Sequence, residues 1–126
     1  MAEPKDEIPE RRFMIRYPST GGATVVRDTD KMRSGLEAAL HDVSTTGVGI
    51  HMEAMLEIGE QVKLRLRNDV QRFEKEVRGT VRHCTPIAGN RNLVGIELLT
   101  RLTPLEVSLL RMGIAGEPGD AKPRWI

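Results

Sequence analysis

The sequence predicts a small all-β fold, a barrel or sandwich of antiparallel strands followed by one C-terminal helix. Three observations carry this. Short runs of β-branched and aliphatic residues recur at regular intervals, separated by Gly, Pro and Asn-Asp turn signals. The cleanest run, 61–67, alternates strictly: Val62, Leu64 and Leu66 fall on one face and Lys63, Arg65 and Arg67 on the other. That period marks a strand with one wet face. A helix start comes only after these runs, at Thr103-Pro104-Leu105-Glu106. There Thr103 can cap, Pro104 suits the first helical position and Glu106 can close a capping box.

In chain order, residues 1–10 (MAEPKDEIPE) carry two prolines and dense charge, and are expected to form a flexible arm. In RRFMIRYP, Pro18 biases Tyr17 towards extended geometry. Residues 19–22 read as a turn and 23–28 (ATVVRD) as a strand, followed by a polar loop over 29–35. The stretch LEAAL favours helix on local propensity. We nevertheless read 36–43 as a strand. It is short, lies between Gly35 and Gly47, and leads into Val-Gly-Ile, so tertiary context should override propensity. Residues 23–43 then form a β-hairpin.

A tight turn over 44–47 leads into a strand over 48–52, and Ile58-Gly59-Glu60 and Asn68-Asp69 are further turns. Residues 73–83 alternate less strictly, with Gly79 predicting a bulge or a close backbone approach. Residues 86–92 read as a loop and 93–99 as the last strand. In the helix, Leu105, Leu109 and Met112 share one face, expected to pack on the sheet, and Gly113 and Gly116 limit its length. The domain therefore spans 11–115, with a loose tail at 116–126 in which Trp125 is a packing residue rather than a site.

With 126 residues the chain suits one domain, which can bury roughly two-thirds of its unfolded surface. Two Phe, one Tyr and one Trp leave the core to Val, Leu, Ile and Met. A net charge of +1 gives no broad electrostatic drive towards long nucleic acid or a membrane. Cys84 is the single cysteine, and His41, His51 and His83 lack metal-ligand spacing with it, so no metal site is expected. No apolar run reaches membrane-span length and residues 1–15 lack a signal-peptide core, so a soluble cytoplasmic protein is expected.

Two clusters carry chemistry. Arg12 and Arg16 sit four apart with Arg11 alongside, and Asp42, Ser44 and Gly47 follow one hairpin later. Guanidinium forks match phosphate oxygens and the O6/N7 edge of guanine. Arginines gathered in one place repel one another, which an anion between them relieves. A carboxylate such as Asp42 can accept from the N1–H and N2–H₂ edge of guanine. Ser44 can fix the turn or donate to a ligand, and Gly47 is expected to permit positive φ and close backbone approach. Each cluster alone has a plain explanation, as a solvated basic patch and a common turn composition. Asp42 could simply pair with Arg12 or Arg16 at the surface. Their combination, in this order and one hairpin apart on a β-rich chain, points to an anion- and guanine-binding site.

At this point the sequence resembles the PilZ domain family. ERRFMIR matches its RxxxR motif through Arg12 and Arg16, and HDVSTTGVGI matches its [D/N]xSxxG motif through Asp42, Ser44 and Gly47. The stretches IGEQVKLRL, VRGTVRH and LVGIELL are also similar, so the resemblance covers roughly residues 8–115. It implies a six-stranded antiparallel β-barrel with a C-terminal α-helix, and binding of cyclic di-GMP. Under it, Arg12 and Arg16 hold phosphate and guanine, Asp42 and Ser44 hold a guanine, and Gly47 shapes the loop. Arg11 matches the extra arginine that many members place before the first motif. Some members stack an aromatic residue on the outer guanine from a later strand. Here that stretch reads VRHC, with Arg82 or His83 as the substitute.

The expected function is a receptor or adaptor whose arm is ordered by cyclic di-GMP and which signals to a downstream protein, homodimerisation being left open. Two rivals stay in play: an adaptor that never binds nucleotide, and a small barrel for RNA or single-stranded DNA, for which the stacking platform is lacking. Catalysis is not expected. There is no Walker loop or Gly-x-Ser-x-Gly elbow, and His41 should point to the opposite strand face from Asp42. No cofactor is expected beyond the ligand.

Overall fold

Among the described residues the regular structure is seven strands and one short helix. A computed structural model describes residues 15–29 and 34–111. The strands are β1 (Tyr17–Pro18), β2 (Gly22–Arg27), β3 (Leu36–Val43), β4 (Gly47–Met52), β5 (Gln61–Asn68), β6 (Phe73–Ile87) and β7 (Arg91–Leu98); the helix, α1, is Pro104–Leu110. The expected arm at 1–10, Arg11, Arg12, Met112 and the tail at 116–126 lie outside the described residues.

Six strands close into an antiparallel barrel. The order β3-β2-β5-β6-β7-β4 returns to its start because β4 also pairs with β3, leaving no open edge among them. Strand β1 adds two residues to the same side of β3 as β2, with Tyr17 opposite Val43 and Pro18 opposite Asp42. The 19–22 stretch is therefore not a reversing turn. Pro18 has no N–H to continue the ladder, so the chain jogs and then resumes pairing with the same strand. Across the jog the Ser19 amide donates to the His41 carbonyl (3.2 Å) and the Leu40 amide to the Gly21 carbonyl (2.9 Å).

The core is aliphatic, as the composition requires. Val62, Leu64 and Leu66 are fully buried, matching the strict alternation of β5. The LEAAL stretch is strand because its inward positions complete this core while β2 and β4 take up its backbone groups on both sides. The loop expected at 86–92 shrinks to a three-residue turn, since β6 and β7 stay paired out to Ile87 and Arg91. Gly89 (φ 78°) and Asn90 (φ 60°) supply the left-handed geometry such a short reversal needs. At Gly79 the close approach anticipated above is realised, for a side chain there would run into Ile96.

The helix begins as its capping sequence dictates. Thr103 Oγ1 accepts from the Glu106 amide (3.1 Å), and Glu106 Oε1 accepts from the Thr103 amide (2.9 Å). The buried face, however, is not the expected one. Leu105 is 68% exposed, whereas Val107 and Leu110 are buried together with Leu102 just before the cap. A helix of 7 residues has one inward stripe, and the capping turn orients it through the 107–110 spacing. Side chains from the barrel end close the helix C-terminus: Ser19 Oγ donates to the Leu110 carbonyl, and Asn68 Nδ2 donates to the Leu109 carbonyl at 2.8 Å. These bonds satisfy carbonyls that a helix end leaves unpaired.

This packing sets opposite outcomes for two leucines of the same helix. Leu110→Ala should destabilise the protein by about 2–5 kcal/mol, the usual cost of a cavity at a buried leucine. Leu105→Ala should stay within about 0.5 kcal/mol. Urea denaturation of both variants measures this; equal losses would contradict the observed helix orientation.

Candidate functional site

The expected site residues that fall among the described ones, Arg16, Asp42, Ser44, Gly47 and Arg82, lie along one side of the barrel. The corner between β3 and β4 organises them. Ser44 is 2% exposed. Its Oγ accepts from the Gly47 amide (3.1 Å) and the Thr46 amide (3.2 Å), and the Ser44 amide donates to the Gly47 carbonyl (2.9 Å). Ser44 is thus the pin of the turn rather than a group held out to solvent.

Gly47 is required here by crowding, not by its dihedral. It is a strand residue outside the positive-φ set, so the left-handed geometry expected from sequence is absent. A side chain at Gly47 would lie 2.9 Å from the Ile96 carbonyl oxygen. Arg16 Nη2 would lie 3.6 Å from the same point, so the arginine passes directly over the glycine.

Arg16 enters from β1 and meets Asp42, with Nη1 to Oδ1 at 2.5 Å. The pair is open to water, the side chains being 46% and 22% exposed. Asp42 reaches this position through a β-bulge. The β3–β4 register shifts between Leu40 and Asp42, leaving His41 as the extra residue. The expectation that His41 and Asp42 point to opposite faces fails for this reason. The bulge leaves His41 exposed and Asp42 partly exposed between the buried Leu40 and Val43.

A second bulge mirrors the first. Between Val81 and His83 the β6–β7 register shifts, with Arg82 as the extra residue. The two bulges flank a row of partners across four strands: Asp42 opposite Gly49, Gly49 opposite Gly95, and Gly95 opposite His83. The two glycines leave a floor without side chains between the carboxylate and the imidazole. A side chain on Gly49 would stand 2.6 Å from Asp42 Oδ1, and one on Gly95 would occupy the place of the His83 ring. Nothing in the sequence reading assigned a role to Gly49 or Gly95. The available signal was the Val-Gly-Ile stretch that occurs in both β4 and β7, since glycine in a strand marks a close approach.

Beside this row lies a cleft of about 500 Å³, lined among others by Arg16, Gly47, Arg82, His83, Gly95 and Arg101. That volume is in the range of small-ligand sites. Arg82 Nε binds Glu97 Oε1 at 2.6 Å, leaving His83 as the ring that faces the glycine floor. A larger cleft of about 680 Å³ is lined by residues 36–39 and 52–54 together with Arg91. It holds none of the motif residues, and with Glu37 paired to Arg67 and Glu53 set against its one arginine, it carries no excess of positive charge for an anion. Among the described residues no group of three or more His, Cys, Asp and Glu gathers to hold a metal, and no helix is long and apolar enough to cross a membrane.

A family model described as "PilZ domain" matches residues 10–116. No curated protein is similar enough to the chain to count as a match. Among solved structures, the chain is similar to the Bacillus subtilis inhibitor of motility (MotI/DgrA), with a TM-score of 0.58 and 12% identity over 77% of this chain. It spans 46% of the length of that chain. It is also similar to the PilZ domain of YcgR from Escherichia coli, solved with c-di-GMP, at TM-score 0.58 and 16% identity over 79% of this chain and 86% of that one. At these identities the likeness is one of fold.

The His41 and His51 rings lie 4.7 Å apart behind Asp42. Burial holds the His51 imidazole below its ordinary value of 6.5, the electrostatic influence of His41 and of Arg91 acts the same way, and Asp42 opposes them. As pH falls through 6.5 the unfolded chain takes up this proton before the folded one, so stability is lost below that pH. An NMR titration should place the His51 midpoint below 6.5, and His41→Asn should move it upward. A midpoint at or above 6.5 would contradict the geometry.

Proposed function

Since the chain belongs to the PilZ domain family, we propose that it is a receptor for cyclic di-GMP that signals to a partner protein through its arginine-bearing N-terminal segment. PilZ proteins are receptors and adaptors rather than enzymes, which fits a site built from an ion pair, a pinned turn and a glycine floor. The observation that carries the reading is the Arg16–Asp42 pair at the edge of the cleft. These are the two groups that complement the ligand, a guanidinium for phosphate or guanine O6/N7 and a carboxylate for the guanine N1–H and N2–H₂ edge. The structure of the YcgR domain, solved with c-di-GMP, shares this fold and supports the choice of ligand.

Arg16 and Asp42 neutralise each other. Opening an ion pair this exposed costs about 0–1 kcal/mol. A hydrogen bond to a charged group contributes about 1.5–3 kcal/mol. The ligand offers several, so binding outweighs the loss of the internal pair. Arg12 and Arg11 would join Arg16 on the ligand, and Ser44 would act by holding Asp42 and Gly47 in place. Of Arg82 and His83, His83 presents a flat ring beside Gly95 and is the better suited to stack on a guanine. Because Tyr17 and the Arg111 guanidinium stack at 4.1 Å, drawing Arg16 onto a ligand pulls on a residue packed at the end of α1. That gives the ligand a route to the surface shown to a partner.

Titration calorimetry of the full chain with cyclic di-GMP checks this. Arg16→Ala should weaken binding by about tenfold to over a hundredfold. Equal affinities for wild type and variant would discard the site. No binding by the wild type at micromolar concentration would favour a protein-interaction adaptor that does not use nucleotide.

A further inference from the structure

We infer that Arg101, which belongs to neither arginine motif nor turn motif, is a further ligand-binding residue of the same cleft and contacts a phosphate of the nucleotide. This rests on the receptor reading above. Three arginines line the cleft, Arg16, Arg82 and Arg101, against one carboxylate, Glu97. Arg16 is paired with Asp42 and Arg82 with Glu97. Arg101 is exposed and has no ion pair or hydrogen bond among the described residues. Among the described residues its positive charge is therefore the one lining the cleft that no neighbouring carboxylate balances.

The backbone that carries Arg101 is fixed to the motif turn. On one side of it the Leu98 amide donates to the Thr46 carbonyl (2.8 Å), and on the other the Leu102 amide donates to the Thr45 carbonyl (2.9 Å). Leu102 is buried, which anchors the link again directly after Arg101. An ordinary surface arginine sits on a backbone with no relation to a site. This one is tied by two hydrogen bonds to the corner that carries Ser44 and Gly47. Fixing the backbone near the ligand lowers the ordering cost when the side chain engages.

The chemistry narrows the contact. A guanidinium only donates, so Arg101 cannot meet the N1–H and N2–H₂ edge of guanine, which needs an acceptor. Its match is an anionic oxygen. Arg16 and Arg101 share the cleft as like charges, and a phosphate between them removes that repulsion. A second arginine in the cleft also suits a ligand with two phosphates.

The test titrates full-length wild type, Arg101→Ala and Arg101→Lys with cyclic di-GMP by calorimetry, with thermal melts alongside. Arg101→Ala should weaken binding by about tenfold, with its melting temperature unchanged because the side chain is exposed. Arg101→Lys should fall between wild type and Arg101→Ala, since a lysine still meets a phosphate as a point charge but without the fork. Binding by Arg101→Ala within about twofold of a wild type that does bind overturns this inference and leaves the receptor reading standing. Loss in Arg101→Lys equal to that in Arg101→Ala overturns the phosphate contact. Absence of any wild-type binding overturns the receptor reading, and this inference with it.

Discussion

One buried hydroxyl holds the corner that the site is built on. Ser44 Oγ takes up the amides of Thr46 and Gly47 in a place closed to water. An amide left unpaired there would cost about 1–3 kcal/mol. With the hydroxyl in place, the turn presents the Thr45 and Thr46 carbonyls to the link between β7 and α1. Three parts of the chain therefore share one anchor: the end of β3 with Asp42, the start of β4 with Gly47, and the stretch carrying Arg101. A serine hydroxyl suits this position because it both accepts and donates within a single turn.

Around that anchor the barrel supplies rigidity and the ion pair supplies release. The two bulges turn Asp42 and His83 over a pair of glycines, whose missing side chains leave room for the carboxylate and the imidazole to lie against the sheet. Elsewhere on the outer face many charges are paired, as with Arg27 and Glu60 at 2.5 Å. Burial works against ionisation of Glu60, yet hydrogen bonds from Arg27 and the Glu57 amide outweigh it and hold the carboxyl below its ordinary range. That pair is shielded and structural. The Arg16–Asp42 pair is exposed and its arginine lies just before a two-residue strand, so it opens at little cost. The difference between the two pairs separates scaffold from site.

Much of this was legible in the sequence. Gln61–Asn68 announced itself by alternation, and the capping box at Thr103 and Glu106 formed as written. The strand Leu36–Val43 was legible only by setting the context of Gly35 and Gly47 above the helical preference of LEAAL. The bulges were not legible. A bulge follows from where β4 and β7 place their glycines, and the expected alternation at His41 and Asp42 failed by that one inserted residue. The helix face was misjudged because Leu105 and Leu109 obey a helical spacing, while the capping turn and Leu102 decide which stripe faces inward. Arg101 carried no signal at all, for its position depends on hydrogen bonds to a turn more than fifty residues earlier.

The most direct measurement is the crystal structure of the full chain bound to cyclic di-GMP. The account predicts the nucleotide in the cleft beside Gly47 and Gly95, with the Arg16 guanidinium moved from Asp42 onto the ligand and the Asp42 carboxylate accepting from a guanine edge. A nucleotide seated instead over Leu36–Ala39, with the Arg16–Asp42 pair still closed, would contradict it.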